Sequence, residues 1–276
     1  MKYLITGSNG FIGSALSKHT TDNVGFDIKQ DSSKSVANYY AFENYIKSVA
    51  PDVIVHLAAI SGIKDCIDDP EGAFQTNVKG ATNVLDLAKK YKIKRVIMAS
   101  SAGVIACPSP YHAHKRYLED ISSAYHITHG VSVCCLRFSN VYGIGSIDKS
   151  SVIANMFKEA ITSGIITVEG GKQSRDFVCI DDVVRGIIIA SESNYSGTLN
   201  IGGGNQFSIN EIATKISNLT KAKIVCKNPR PNDVKDNYVD IGFSEDILDW
   251  HPYAGINNEL NKTYNYFKES ILSEAV

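Results

Sequence analysis

The sequence predicts an α/β protein built on a doubly wound parallel sheet, with a smaller, interleaved C-terminal lobe for substrate. Three observations carry this. Short apolar strands alternate with helical segments through the first half. Runs such as Val53–Val55 and Val96–Met98 are apolar without alternation, as strands buried on both faces must be. After Asn140 the rhythm breaks into glycine-rich turns and separate amphipathic segments. At 276 residues, 43% hydrophobic and 21% charged, the chain can bury a large core. A net charge of −1 without a basic run argues against nucleic acid as a partner.

In order along the chain, "KYLITG" reads as the first strand, followed by a helix from about Phe11 and the strand "NVGFDI". Then come "DVIVHLAA", the helix in "GAFQTNVKGATNVLDLAKKY", the strand "KRVIMASS", a helix from Tyr111, and "VSVCCLRFS". Beyond the "VYGIGS" turn, "SSVIANMFKEAITSG" is an amphipathic helix that Gly164 is placed to end. "DFVCIDDVVRGIIIAS" runs from strand to helix, "GTLNIGGG" is a strand, and "SINEIATKISNLT" opens with the capping-box pair Ser208 and Glu211. The tail from about Asp246 reads as helix and loop. Residues 1–140 are expected to form the cofactor domain, with 176–198 returning to it; 141–175 and 199–276 form the smaller lobe. No segment reaches the ~18 apolar residues of a membrane helix, and "MKYLITG" lacks a secretory pattern, so a cytoplasmic location is expected. The six cysteines show no metal spacing and read as reduced structural thiols; no metal site is expected.

"ITGSNGFIG" places Gly7, Gly10 and Gly13 between the first strand and the first helix. Glycine there permits a tight turn, lets backbone approach a pyrophosphate, and allows close helix–strand packing; the helix N-terminus then faces the phosphates. Asp27 ends the second strand, where a carboxylate binds ribose hydroxyls and repels a 2′-phosphate. The cofactor reading is therefore NAD rather than NADP, with Asn9, Phe11 and Ile12 in the same loop.

With Gly-x-x-Gly-x-x-Gly spacing, "HLAA" from His56, and Asn77 in "QTNVKGATNVL", the chain resembles an extended short-chain dehydrogenase/reductase of the nucleotide-sugar epimerase/dehydratase family, which has a Rossmann-like fold. The resemblance implies that Leu57, Ala58 and Ala59 lie along the cofactor and that Asn77 supports the active-site sheet. His56 is assigned no chemistry, because a strand histidine is more often simply hydrogen-bonded in place. Ser100 and Ser101 end the strand "RVIMASS", at the sheet edge where such folds bind ligands.

Tyr111 and Lys115 stand four apart on the next helix and share a face. Tyr264 and Lys268 have the same spacing but no glycine loop or serine beside them. Tyr111 is therefore the candidate base. A neighbouring ammonium is expected to pull its phenol from about 10 toward neutrality, while Ser101 hydrogen-bonds the reacting oxygen. Two departures from the family stand out. "YHAHK" replaces Tyr-Gly-x-Ser-Lys, with His112 and His114 read as solvated or packing residues and contact of His114 with the cofactor or the catalytic lysine left open, and the loop from Ser101 to Tyr111 is short, with Ile105-Ala106 where relatives have Tyr-Gly.

Ala102 and Gly103 stand where dehydratases of the group carry Asp-Glu, which leaves hydride removal and return. The resemblance further implies that Asn140 in "LRFSNVYG", Arg175 in "SRDFVCIDDV", and Arg230 and Asp233 in "PRPNDVKD" bind a nucleotide sugar, the arginines on its diphosphate. Asn237, near a family gate position, is small enough to admit N-acetyl sugars. The leading expectation is 4-epimerisation of a UDP-hexose in polysaccharide biosynthesis. A reductase of a 4-keto nucleotide sugar and a non-catalytic dinucleotide-binding protein stay open. A homodimer is implied through the helices at 79–91 and 111–129, whose apolar Val84, Leu85, Leu87, Leu118 and Ile121 serve either an interface or the core.

Overall fold

Strands with no polar face dictate the first sheet. The structure, a computed structural model, describes residues 1–105, 109–230 and 234–273. In it β1 (Tyr3–Thr6), β2 (Asn23–Phe26), β3 (Val53–His56), β4 (Arg95–Ser101) and β5 (Val133–Phe138) run parallel, and every residue of β1 and β3 is buried. Four further strands follow: β6 (Asn140–Tyr142), β7 (Ile165–Glu169), β8 (Ser174–Cys179) and β9 (Gly197–Ile201). The last of these completes the sheet in the order β2-β1-β3-β4-β5-β9. The chain goes to one side of β1 for β2 and to the other for β3. That reversal opens the crevice beyond the carboxyl end of β1, where doubly wound sheets bind ligands.

Helices α1 (Phe11–His19), α2 (Tyr39–Val49), α3 (Ile63–Asp68), α4 (Pro70–Phe74), α5 (Gly80–Lys90) and α6 (Pro110–His129) accompany this sheet. α6 begins where its sequence says it should: Ser109 accepts from the His112 N–H, Pro110 takes the first position, and Gly130 ends the helix at φ +68°. Val84, Leu85, Leu87 and Leu118 lie in the core cluster with Leu4, Ile54 and Met98, and Ile121 packs against it. These side chains serve the core, and the interface reading of them is withdrawn. Between α4 and α5 the helix widens into a π turn, Gln75–Lys79, which the sequence pattern did not announce.

The remaining elements are α7 (Val152–Ser163), α8 (Ile180–Glu192), β10 (Gln206–Ser208), α9 (Ile209–Thr220), β11 (Lys223–Lys227), β12 (Asp236–Asn237), α10 (Gly242–Leu248) and α11 (Ile256–Ser273). Strand β8 pairs with β6, β10 and β12, and β7 pairs with β11, so neither joins the large sheet. Gly164 ends α7 at φ +68°, and the Ser208–Glu211 capping box is complete.

The chain divides into two compact units, residues 1–138, 184–200 and 242–250 in one, and 139–183, 201–241 and 251–276 in the other. The boundaries differ from those read in the sequence because β8 builds a separate sheet, so the return to the first unit begins at Val184 rather than at 176. Residues 242–250 return as well: Trp250 is fully buried with the Arg185 guanidinium 5.7 Å from its ring, and Ser244 Oγ accepts from the Asn200 N–H at 2.8 Å. In the second unit Tyr264 stacks on Phe157 at 6.1 Å, so the second Tyr-x-x-x-Lys pair is packing.

Candidate active site

In the first unit the turn after β1 has the shape of a phosphate cradle. Gly7 sits at φ +70°, and a Cβ there would come within 2.7 Å of the Ala58 backbone nitrogen; a Cβ on Gly13 would overlap the Gly7 carbonyl. Gly10 precedes α1 with no side chain capping the helix, which leaves its first N–H groups free for a ligand's oxygens. Asp27 accepts from the Asn9 N–H and the Lys29 N–H, both at 2.8 Å, which plants its carboxylate beside the loop at the end of β2. Leu57 N–H donates to the Thr6 carbonyl and Ala58 N–H to the Thr6 hydroxyl, holding the segment after β3 against β1. This arrangement fits a dinucleotide: a glycine-only turn, an open helix end and a carboxylate at the second strand.

Asn77 is buried inside the π turn. Its side chain accepts from the Ile60 N–H at 2.8 Å and donates to the Ile60 carbonyl at 2.9 Å, fastening the stretch after Ala59. His56 is buried, with Nδ1 at 2.8 Å from the Thr6 hydroxyl. Burial, reinforced by the Lys115 charge, pushes its pKa down to about 3, so the ring is neutral and structural, as the sequence implied.

Tyr111 and Lys115 lie in the first turns of α6. The ammonium of Lys115 donates to the Ala99 carbonyl of β4 at 2.6 Å and stands 5.8 Å from the centre of the Tyr111 ring. Burial pushes Lys115 down to about 8 and Tyr111 up to about 12, the Cys66 thiol adding to the latter. The expected pull of the ammonium on the phenol is therefore overturned for the protein alone. Desolvation wins, and the cation spends a hydrogen bond on a strand carbonyl.

Ser101 Oγ accepts from the Gly103 N–H at 3.2 Å, at the head of a 3₁₀ turn, Ala102–Val104. Ser100 faces elsewhere: its hydroxyl donates to Glu119 of α6, which also receives a two-pronged bond from Arg137 at 2.8 and 2.6 Å. The sequence reading missed Glu119 and Arg137, which two spaced charges on different elements do not advertise. The two histidines are packing residues, one of the two readings the sequence offered, with His114 still partly exposed. His112 is buried with Nδ1 2.7 Å from Ser109 Oγ, and the half-buried His114 approaches the Asn77 amide at 3.4 Å.

In the second unit Asn140, Arg175 and Arg230 line one cavity of about 410 Å³, together with Lys227, Glu159 and Glu169. The Asn140 amide donates to the Asp176 carbonyl at 2.9 Å, and Arg175 to the Ser174 carbonyl at 2.7 Å. Arg230 is ion-paired with Glu169, which also lines the cavity. Asn237 lies beside Arg175 in the β12–β8 register. Asp233 lies outside the described residues, as does Cys107. Among the described residues no helix is long and apolar enough to cross a membrane.

Known proteins resemble the chain along nearly its whole length. A UDP-glucuronate 4-epimerase of Thermodesulfobacterium geofontis is 29% identical, the match covering 98% of this chain and 97% of that protein. UDP-glucuronic acid decarboxylase 6 of Arabidopsis thaliana is 28% identical over 94% of this chain and 87% of the relative. The crystal structure of a UDP-glucose 4-epimerase with UDP-glucose from Thermotoga maritima superposes with a TM-score of 0.90 at 25% identity, covering 98% of this chain and all of that one. The model of the NAD dependent epimerase/dehydratase family matches residues 3–202, through the glycine loop, Asn77, Ser101, Tyr111, Lys115 and Arg175, and the chain belongs to that family.

Proposed function

We propose that this protein is an NAD-dependent 4-epimerase of UDP-sugars. The observation that carries the reading is the placement of Tyr111 and Lys115 on the first turns of α6, with Lys115 fastened to β4 two residues before Ser101, in the same unit as the glycine cradle. The residues that would hold NAD are Gly7, Asn9, Gly10, Phe11, Ile12 and Gly13 at the phosphates, Asp27 at the ribose, and Leu57, Ala58, Ala59 and Asn77 along the sheet edge; the Ser100 hydroxyl, given to Glu119, is not among them. NAD, when bound, supplies a hydride acceptor and a positive ring.

Tyr111 takes the proton of the sugar's C4 hydroxyl and returns it, and Ser101 hydrogen-bonds the same oxygen. A phenol at about 12 is a poor acceptor at neutral pH. The cationic complex and Lys115 together must lower it, which ties proton removal to a filled site. Arg175, Arg230 and Asp233 take the nucleotide diphosphate and ribose, and Asn140 the adjoining phosphate. The product is a glycosyl donor for polysaccharide synthesis. A homodimer would use the outer residues of α5 and α6, where Tyr117 and Thr82 hydrogen-bond at 2.9 Å.

A second reading comes from the decarboxylase relatives. In a uronic acid, a C4 ketone lies β to the C6 carboxylate, so CO₂ can leave from the same oxidised sugar. The test is incubation of the purified protein with UDP-glucose, UDP-N-acetylglucosamine and UDP-glucuronate, read by NMR for sugar identity and by CO₂ release. Epimers formed without added NADH, and lost in Tyr111→Phe, are expected. CO₂ with a pentose product favours the second reading, and no turnover of any of the three removes both; a reductase would instead consume NADH stoichiometrically when given a 4-keto nucleotide sugar.

A further inference from the structure

The Ala102–Val104 turn that follows Ser101 is held to α6 at two points one helical turn apart. The Arg116 guanidinium donates to the Val104 carbonyl. One turn earlier the His112 ring sits directly on Gly103, so close that a Cβ on that glycine would overlap Nε2. The same ring has Nδ1 at 2.7 Å from the hydroxyl of Ser109, the N-cap of α6, and meets the Tyr111 ring edge-on at 5.1 Å. Gly103 in turn donates its N–H to Ser101 Oγ. One imidazole therefore touches the cap that starts the helix, the neighbouring phenol, and the residue that orients the serine hydroxyl.

We propose that His112 is a positioning residue that clamps the Ala102–Val104 turn onto the first turn of α6 and so fixes Ser101 relative to Tyr111. The ring suits the task. Burial, with the Arg116 charge adding to it, holds its pKa below the ordinary histidine value, so it stays neutral at pH 7 and keeps one nitrogen for Ser109. A rigid ring has only two side-chain torsions to fix, so the contact costs little side-chain entropy. Gly103 is the matching half, since only a residue without Cβ admits the ring. Reacting groups displaced by about 1 Å lose on the order of 10²-fold in rate, so a clamp of this kind acts on turnover more than on substrate affinity.

The kinetic arm of the test rests on the epimerase reading; a second arm does not. In the full-length protein, His112→Ala is expected to lower kcat about 10- to 100-fold with KM changed less than about threefold. His112→Asn, which keeps a polar atom near Ser109, is expected to recover much of that loss. Because the clamp acts through Ser101, adding His112→Ala to Ser101→Ala should cost far less than it does alone. Independently of turnover, amide hydrogen exchange at Gly103 and the first turn of α6 should quicken about tenfold or more in His112→Ala, while Val84–Leu87 of α5 keep wild-type protection. Unchanged exchange at Gly103, additive loss in the double variant, or loss of protection throughout the chain would each overturn the clamp. If wild type turns over no UDP-sugar yet Gly103 responds as expected, the clamp stands and the epimerase reading falls.

Discussion

The Lys115 ammonium donates to the Ala99 carbonyl at 2.6 Å, so the charge next to Tyr111 is also the fastener between α6 and β4. A buried cation in this position costs stability. Its pKa falls from 10.5 to about 8 on folding, so between those values the unfolded chain binds more protons and stability rises with pH. Below pH 8 the full cost, about 3 kcal/mol, is present. Lys115→Met removes it and forfeits a hydrogen bond of about 1 kcal/mol. The variant should be at least as heat-stable as wild type at pH 7 and should lose the stability slope between pH 8 and 10.5, as read by calorimetry. Turnover should fall by about 10³ or more. Retention of the wild-type slope would remove Lys115 as its source.

His56 acts with the same sign at lower pH. Its pKa drops from 6.5 to about 3, so its contribution is complete above pH 6.5 and is lost as pH falls through 3. The stake is roughly 5 kcal/mol. Urea unfolding followed from pH 7 to 4 should show a steep decline that His56→Gln flattens. Glu43, held down to about 2 by Lys90 and Tyr91, acts with the same sign but at lower pH, below its ordinary 4.5. A profile unchanged in His56→Gln would assign the acid limb to such carboxylates.

Two glycines separate crowding from backbone strain. At Gly13 a methyl would overlap the Gly7 carbonyl; at Gly130 it would meet nothing, but φ is +68°. Gly13→Ala is expected to weaken NAD binding at least tenfold by pushing α1 off the cradle, and to cost about 2 kcal/mol. Gly130→Ala should cost about 1 kcal/mol of left-handed strain and leave NAD affinity alone. Isothermal titration with NAD, paired with thermal melts, separates the two. Equal NAD affinity in Gly13→Ala and wild type would contradict the cradle.

Arg95 is buried and gives its guanidinium to the Ala190 carbonyl at 3.1 and 2.9 Å, the Tyr195 carbonyl at 2.6 Å, and Ser132 Oγ at 3.0 Å. Arg95→Met keeps the stem and leaves those acceptors bare, at a cost of about 3 kcal/mol. The expected sign is a melting temperature lower by several degrees, with KM for whichever nucleotide sugar turns over unchanged. A melt within one degree of wild type would show that water replaces the guanidinium.

What the sequence made legible were features with local signatures. Gly7, Gly10 and Gly13 suggest a cradle because they fall between a strand and a helix, with Asp27 closing the next strand, and Ser208–Glu211 announces a helix start through a reciprocal cap. Arg95 is different. In "KIKRV" it looks like one more surface cation, and only the tertiary approach of Ala190 and Tyr195 takes it inside. β8 opens on Ser-Arg-Asp and only its Phe177–Cys179 end is apolar, but strand pairing is settled by partners far away in the chain, so its place in a separate sheet could not be read. The pKa values of Tyr111 and Lys115 depend on burial from all sides, which a four-residue spacing does not encode.

The widened turn at Gln75–Lys79 carries a consequence of its own. It threads one more residue through the helix than regular winding would use, and Asn77 reaches Ile60 only with that surplus in place. A chain lacking Val78 would close into an unbroken α-helix, turning everything on one side of the gap by about 100° against the other. The polar clasp on Ile60 would then rotate away from its partner with every other atom of the protein intact.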